Sequence, residues 1–467
     1  MNREKYFVKS MVIYAIGTFI PKLSHLVLLP LYTAFLTKAE FGTYDLYQTI
    51  ISIFVPMATF EIEQAAFRYL INTEDNINYS VLITNTITFV SPLILLLSSL
   101  FLSPIFSISF GLKLILFFYA AISAFNEVIK MIARGLRLNS LYSLAAVIST
   151  AIGVGVAIFT IYFMQLGLEG VFIALIIHNS FSILFILLKS DILIHLKSNS
   201  FSVDITKKLL KYSAPLIPTA IASWVLSLSD RLVISYVLGI EANAIYSVAN
   251  KLPQIGYILV TVFDLSWKES ASLTAKADDV SYFYSRIFSN LLRFVTGGIL
   301  VLISFSPLLF NILIKGDYSN AFPHMCILFI AMYFACLCKF YEGIFVAYYK
   351  TKELCVLVVF AAMINLTFDL AFIRTLGIYA GSLSTLISQV FLFILCLFLS
   401  KKLCRIRYEK QLIFGCFFII CISTYLISLR YTWISVIYMV ASIVFFVFLN
   451  RTIILGVLNK FISKKRY

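Results

Sequence analysis

Charge is what this 467-residue sequence has least of: Asp, Glu, Lys and Arg together make up 13%, while 61% of residues are hydrophobic. That balance excludes an ordinary soluble domain, in which about a quarter of residues are charged. Cysteine is missing from the first 325 positions; all eight lie at or after Cys326, mostly within apolar runs and without a CxxC spacing. The pattern offers neither a disulfide framework nor a structural zinc site, and packing within helices is the role expected of these thiols. There is no phosphate-cradling GxxxxGK[ST] loop, so direct use of ATP is not expected. No HExxH, GxSxG or loop-borne pair of carboxylates is present either. No catalytic residue, metal or cofactor is therefore expected, and the chain is not read as an enzyme. The apolar runs are too long for a membrane β-barrel and do not alternate.

What is present is a succession of fourteen apolar stretches, at roughly 11–36, 41–70, 79–101, 111–133, 142–164, 170–188, 209–238, 242–267, 285–314, 321–348, 354–373, 378–400, 411–429 and 432–450. Most approach the ~20 residues that carry a helix across a bilayer. The fold class is an all-α polytopic membrane protein. The first stretch leads straight into the second and reads as an anchor, not a cleaved signal. With the N-terminus in the cytosol, 26 of the 37 Lys and Arg residues fall on cytosolic segments or span ends and 5 on the opposite face. The positive-inside bias then predicts cytosolic N- and C-termini and an even number of spans. The same bias accounts for the net charge of +15 without a nucleic-acid partner. Loops on the non-cytosolic side are short, so recognition is expected inside the bundle.

The chain repeats itself. Leu36 to Tyr44 links spans 1 and 2, and Leu238 to Tyr246 links spans 7 and 8 in the same register. Gly167-Leu-Glu-Gly170 before span 6 is echoed by Gly377 to Gly381 before span 12. Two six-helix halves are expected, 1–200 and 201–402, joined by the basic loop Lys189 to Lys211. Spans 13 and 14 form an appendage within 403–467. Six is even, so the halves are parallel repeats, expected to surround a central cavity.

Polar residues sit in particular spans, and an ionisable group at membrane depth usually faces a partner or water. Span 8 presents Asn250, Gln254, Thr261, Asp264 and Lys268 on one face, with Lys251 beside them. Span 7 presents Thr219, Ser223, Ser227, Asp230 and Arg231; span 1 presents Thr18, Lys22 and His25; span 2 presents Glu61, Gln64 and Arg68. In spans 4 and 10, Glu127 with Lys130 and Lys339 with Glu342 are spaced to neutralise each other. Lys22 and Lys251 have no acid one turn away, and Arg231 has only the adjacent Asp230, so these three are candidates for lining a substrate cavity. Glu61, Asp264 and Asp369 are the candidates for a coupling ion, Asp369 foremost because no cation lies one turn from it and Asn365 precedes it by a turn. Lys268, one turn beyond Asp264, is expected to reach for the interface. Pro21, Pro30, Pro56, Pro215, Pro218 and Pro253 fall in these same spans, where each can bend a helix.

The residues just singled out carry a resemblance. Leu36 to Tyr44, Ser229-Asp230-Arg231, Ile245 to Leu252, and Leu366 to Gln389 through Leu376-Gly377-Ile378 and Gly381 resemble the polysaccharide transporter family. That family shares a superfamily with the multidrug and toxin extrusion (MATE) antiporters and the lipid II flippases. The likeness covers about residues 5–402 and has no invariant signature; Ala380 stands where many members have Gly. It implies a MATE-like arrangement with two additional helices, in the bacterial inner membrane. It further implies flipping of an undecaprenyl-diphosphate-linked oligosaccharide repeat unit for O-antigen, capsule or exopolysaccharide, driven by H+ or Na+. On that resemblance Lys22, Arg231 and Lys251, with Arg68, would meet the diphosphate, while Asn250, Gln254, Gln64 and Tyr257 would meet sugar. Membrane lipids and polysaccharide polymerase machinery would be neighbours. A cation-coupled multidrug antiporter of the same fold is the alternative. A membrane polysaccharide polymerase or ligase lacks support, since no large periplasmic loop is present.

Overall fold

The computed structural model describes residues 19–71, 78–104, 108–196, 201–275, 277–428 and 432–451. The terminal basic segments and Thr18 lie outside them. Among the described residues every regular element is helical: α1 Phe19–Phe35, α2 Lys38–Thr59, α3 Ile62–Ile71, α4 Tyr79–Ser98, α5 Phe110–Gly135, α6 Asn139–Ile158, α7 Gly167–Lys189, α8 Val203–Ser213, α9 Leu216–Val237, α10 Ile240–Thr274, α11 Val280–Leu313, α12 Ala321–Ala347, α13 Thr351–Leu376, α14 Ile378–Ser400, α15 Lys410–Ser428 and α16 Thr432–Leu449. Nine helical stretches among the described residues are long and apolar enough to cross a membrane, and ten if the bent pair α2–α3 counts as one. With α1, α10, α15 and α16 they follow the order of the fourteen apolar stretches.

Two compact units divide the chain, Met1–Trp224 and Val225–Tyr467, so the division falls within α9. Each unit is built round one central helix, α5 in the first and α12 in the second. In the first, α5 packs on α2, α3, α4 and α7 through fully buried small residues such as Ala120, Ala124 and Ala133. In the second, α12 packs on α10, α11, α14 and α15 and buries Ala331, Ala335, Cys336 and Cys338. Where lipid is as apolar as leucine, helices associate by close backbone approach, and small side chains allow it. The cysteines are thus free thiols, six of the eight buried.

One span is bent and one expectation needs correction. The second span is not straight, as the Pro56 within it allows. It bends by 58° between α2 and α3, where Phe60 and Glu61 both take left-handed backbone angles (φ 53 and 53). Pro56, four residues before Phe60, cannot donate the hydrogen bond that would continue the ladder, and the chain breaks one turn on. The segment joining the halves is also more than a loop. It contains α8, whose Thr206, Leu209 and Ser213 face inward against α3 and α4 while Lys207, Lys208 and Lys211 line the other side. Asn85 of α4 anchors it, its Oδ1 accepting from the Ser202 amide at 3.0 Å and the Thr206 hydroxyl at 2.9 Å.

The two repeated linkers open their helices differently: before α10 the N-cap is Gly239 (φ 95), without a side-chain cap. Thr37 caps α2: its hydroxyl accepts from the Glu40 amide, while Glu40 accepts from the Thr37 amide at 2.9 Å. The other Glu40 oxygen reaches the turn before α7, at 3.4 Å from the Leu168 amide. The glycines that open α7 and precede α14, Gly167 (φ +53) and Gly377 (φ +58), both occupy backbone conformations that side chains disfavour.

Candidate functional site

Each unit carries a polar site of its own. In the first, the break between α2 and α3 turns the start of α3 towards α8 and α9 and opens a cavity of about 740 Å³. Its polar lining is Glu61, Gln64, Arg68, Tyr212, Thr219 and Ser223. Gln64 and Arg68, one turn apart, share one face of α3, and Glu61 joins them from the left-handed turn at its start. The Arg68 guanidinium stands 5.0 Å from the centre of the Tyr212 ring, a cation–π contact that fixes its plane while leaving its donors free for an anion. Ser223, Thr219 and Gln64 add neutral donors and acceptors of the kind that bind hydroxyls. Nearby, Trp224 donates from Nε1 to the Thr49 carbonyl (3.1 Å) and to Ser52 Oγ (2.9 Å), tying α9 to α2.

In the second unit, four helices converge on a pair of carboxyls. Asp230 comes from α9, Tyr246 from α10, Asn365 and Asp369 from α13, and Gly381 and Thr385 from α14. Asp369 is 0% exposed and Asp230 2%. The two carboxyls lie close enough to interact. Asp230 Oδ2 accepts from the Tyr246 hydroxyl at 2.5 Å and from Thr385 Oγ1 at 2.6 Å. Asp230 Oδ1 and both oxygens of Asp369 are buried and meet no hydrogen-bond donor among the described residues. Asn365 is pinned between Ser229, at 3.2 Å, and Ser384, also at 3.2 Å. The Gly381 carbonyl lies 3.3 Å from the Tyr246 hydroxyl. A buried concentration of oxygen atoms, three of them lacking a donor, is the environment a proton or a hard monovalent cation would satisfy.

A third cluster is self-contained. Lys339 Nζ holds both oxygens of Glu342 at 2.8 Å, and Lys268 Nζ lies 2.7 Å from Asp264 and 3.8 Å from Glu342. Lys268 therefore turns inward to Asp264 and not to the interface, because the paired carboxylate one helical turn away is the nearer charge. Glu127 and Lys130 pair at 2.8 Å. The remaining sequence candidates are dispersed. Lys22 is half-buried in α1, outside the lining of the cavity. Arg231 is buried beside Asp230. On α10, Lys251 is half-buried and Gln254 exposed, while Asn250 Nδ2 donates to the Tyr246 carbonyl at 3.0 Å. The side chain of Thr261 lies outside the described residues.

Sequence reading picked Asp369 and Asn365 but missed three partners. Tyr246 stood in a repeated linker and was read only as repeat. Thr385 and Gly381 lay in a segment without charge. Glu63, buried with an unpartnered Oε2 in the first turn of α3, was also passed over, since it follows Glu61 by two positions and leaves the polar face.

The sequence profile of polysaccharide biosynthesis proteins matches residues 7–264, more than half the chain. The chain belongs to this family. No curated protein sequence matches it. Among solved structures, an inward-facing MATE-family multidrug resistance transporter of the MOP superfamily superimposes with a TM-score of 0.69 at 13% identity, covering 84% of this chain and 98% of that one. The lipid II flippase MurJ in an inward closed conformation gives 0.68 at 16% identity, covering 96% and 100%. A MOP-superfamily transporter from Pyrococcus furiosus, described as having a binding pocket of reverse polarity, gives 0.60 at 14%, covering 85% and 95%. The family member described here therefore has the MATE and MurJ fold and is a multi-pass membrane protein.

Proposed function

We propose that this protein flips an undecaprenyl-diphosphate-linked oligosaccharide from the cytosolic to the periplasmic leaflet of the inner membrane, by alternating access coupled to a cation gradient. The observation that carries the reading is the cavity of the first unit. A diphosphate leaving water needs cations and donors, and a glycan needs neutral hydrogen-bonding groups. Arg68, set over Tyr212, supplies the first; Gln64, Thr219 and Ser223 supply the second. On the expected orientation this cavity lies towards the cytosol, where the lipid-linked unit is assembled. The family supports a role in polysaccharide biosynthesis, and the fold supports transport. Lys22, in the same unit but outside that lining, remains a candidate contact for the diphosphate. The carboxyl pair Asp230–Asp369 is the assigned coupling site for H+ or Na+. Asp264, neutralised by Lys268, is set aside, and Glu61, which faces the cavity with Arg68, joins the substrate contacts. The chain is organised as two six-helix halves, 1–200 and 201–402, with an appendage at 403–467.

The test is Arg68→Ala in cells whose own copy has been removed. Surface polysaccharide should be lost with membrane protein level intact, and Arg68→Lys should restore part of it, since charge survives but the planar fork does not. Unchanged polysaccharide together with new sensitivity to cationic drugs would favour the antiporter of the same fold.

A further inference from the structure

The carboxyl pair is built by α9, α13 and α14, and α10 enters it through one side chain, Tyr246. That residue is 3% exposed, and its ring packs under Gly381, where an added Cβ would stand 3.3 Å from it. Its hydroxyl makes the 2.5 Å bond to Asp230 Oδ2 and has Thr385 Oγ1 and the Gly381 carbonyl as further neighbours, each at 3.3 Å. Tyr246 and Thr385 both stand at donor distance from Oδ2, Thr385 having the Gly381 carbonyl as its alternative acceptor at 2.9 Å, while Oδ1 has no hydrogen-bond partner among the described residues. A cation therefore has its place between Asp230 Oδ1 and Asp369, not on the oxygen that Tyr246 holds. One turn further along α10, Asn250 is bonded to the Tyr246 carbonyl, and Lys251 and Gln254 follow.

We propose that Tyr246 is the tether that transmits cation occupancy to α10: its hydroxyl is not a cation ligand but couples the position of Asp230 to the helix that bears Asn250, Lys251 and Gln254. When a cation draws Asp230 towards Asp369, the Tyr246 hydroxyl must follow Oδ2 or lose its bond, and α10 is rigidly attached to the ring. A ligand shifts a conformational equilibrium only by interacting differently with its two states, and a hydrogen bond to a charged group supplies about tenfold of such difference. This inference rests on the reading of Asp230 and Asp369 as the coupling site.

The experiment uses the full-length chain in proteoliposomes, with a fluorescent undecaprenyl-diphosphate-linked N-acetylglucosamine as probe. Flipping is timed with and without an imposed Na+ gradient in one arm and an imposed pH gradient in the other. In wild type one gradient accelerates flipping; in Tyr246→Phe, which keeps the ring and removes the hydroxyl, that acceleration should fall by about tenfold. The half-saturating cation concentration should meanwhile stay within about threefold of wild type, well inside a single tenfold step of affinity. Tyr246→Met takes its place if the Phe variant does not accumulate. Retained acceleration overturns the proposal. So does a rise in half-saturating concentration beyond that range, because Tyr246 is then a ligand. Asp369→Asn separates the two readings. If it leaves the acceleration intact, the coupling site itself is misassigned and the tether falls with it. If it abolishes the acceleration while Tyr246→Phe keeps it, only the tether is wrong.

Discussion

Asp369 shows how one side chain differs from its sequence neighbours in what it demands. A buried carboxylate with two unpartnered oxygens facing a second carboxyl is tolerable only if a proton or a cation shares the space. Asp369→Asn removes one negative charge and gives Asp230 Oδ1 a donor. The purified variant should melt no lower than wild type, and addition of the coupling cation, which should raise the wild-type melting temperature, should leave the variant's unchanged. A cation-dependent shift that survives in Asp369→Asn would move the binding site elsewhere. Glu342 makes the opposite case. It receives Lys339 through two bonds of 2.8 Å, while Lys268, at 3.8 Å, keeps Asp264 at 2.7 Å, so Glu342→Gln strands Lys339 in a poorly solvated setting. Breaking such a pair from one side costs about 3–5 kcal/mol, and this variant should accumulate poorly or melt clearly lower. Glu127→Ala combined with Lys130→Ala removes both partners at once and should melt closer to wild type. Melting curves of the two variants in one detergent decide the order.

The elements are shaped by their ends. The capping box of Thr37 and Glu40 begins α2 and, through Glu40, holds the turn at Gly167. An alanine Cβ at position 167 would come within 2.3 Å of Glu40 Oε1, on a backbone with φ +53. Gly167→Ala should therefore destabilise by about 1–2 kcal/mol from backbone strain alone, and more if Glu40 is expelled. Thr37→Ala should cost about 1 kcal/mol. Because both act on the same carboxylate, their combined effect in thermal melts should be less than the sum. Full additivity would show that the cap and the turn are independent. At the other end of α2, Pro56 and the left-handed Phe60 and Glu61 produce the bend that presents Gln64 and Arg68 to the cavity. The appended α15 and α16 pack against α11, where Ser442 meets Ser304 at 2.7 Å and Phe446 lies against Gly297.

For the molecule as a whole, the decisive quantity is the asymmetry of basic residues, 26 against 5. It predicts that reporter fusions after Lys197, Lys402 and Tyr467 all read cytosolic. A periplasmic signal after Lys402 would remove both the orientation and the parallel repeat of two even-numbered halves. A cytosolic signal at all three positions would also place the Arg68 cavity towards the cytosol.

Apolar runs of membrane length determined by themselves that this chain is a helical membrane protein, since nothing but a helix can satisfy its own backbone within lipid. The turns that open α2, α7 and α14 were marked in the sequence too, because they need particular residues: a threonine–glutamate box at Thr37 and Glu40, and glycines at Gly167 and Gly377. Asp369 and Asn365 could be singled out because a carboxylate without a cation one turn away is conspicuous along a helix. Only the tertiary structure decided what surrounds them. Asp230, Tyr246 and Thr385 lie 16 and 155 positions apart as hydrogen-bonded partners, and helical periodicity relates residues within one helix, never between helices. For the same reason the approach of Lys268 to Glu342, and the helix break that brings Glu61, Gln64 and Arg68 to Tyr212, were settled by packing.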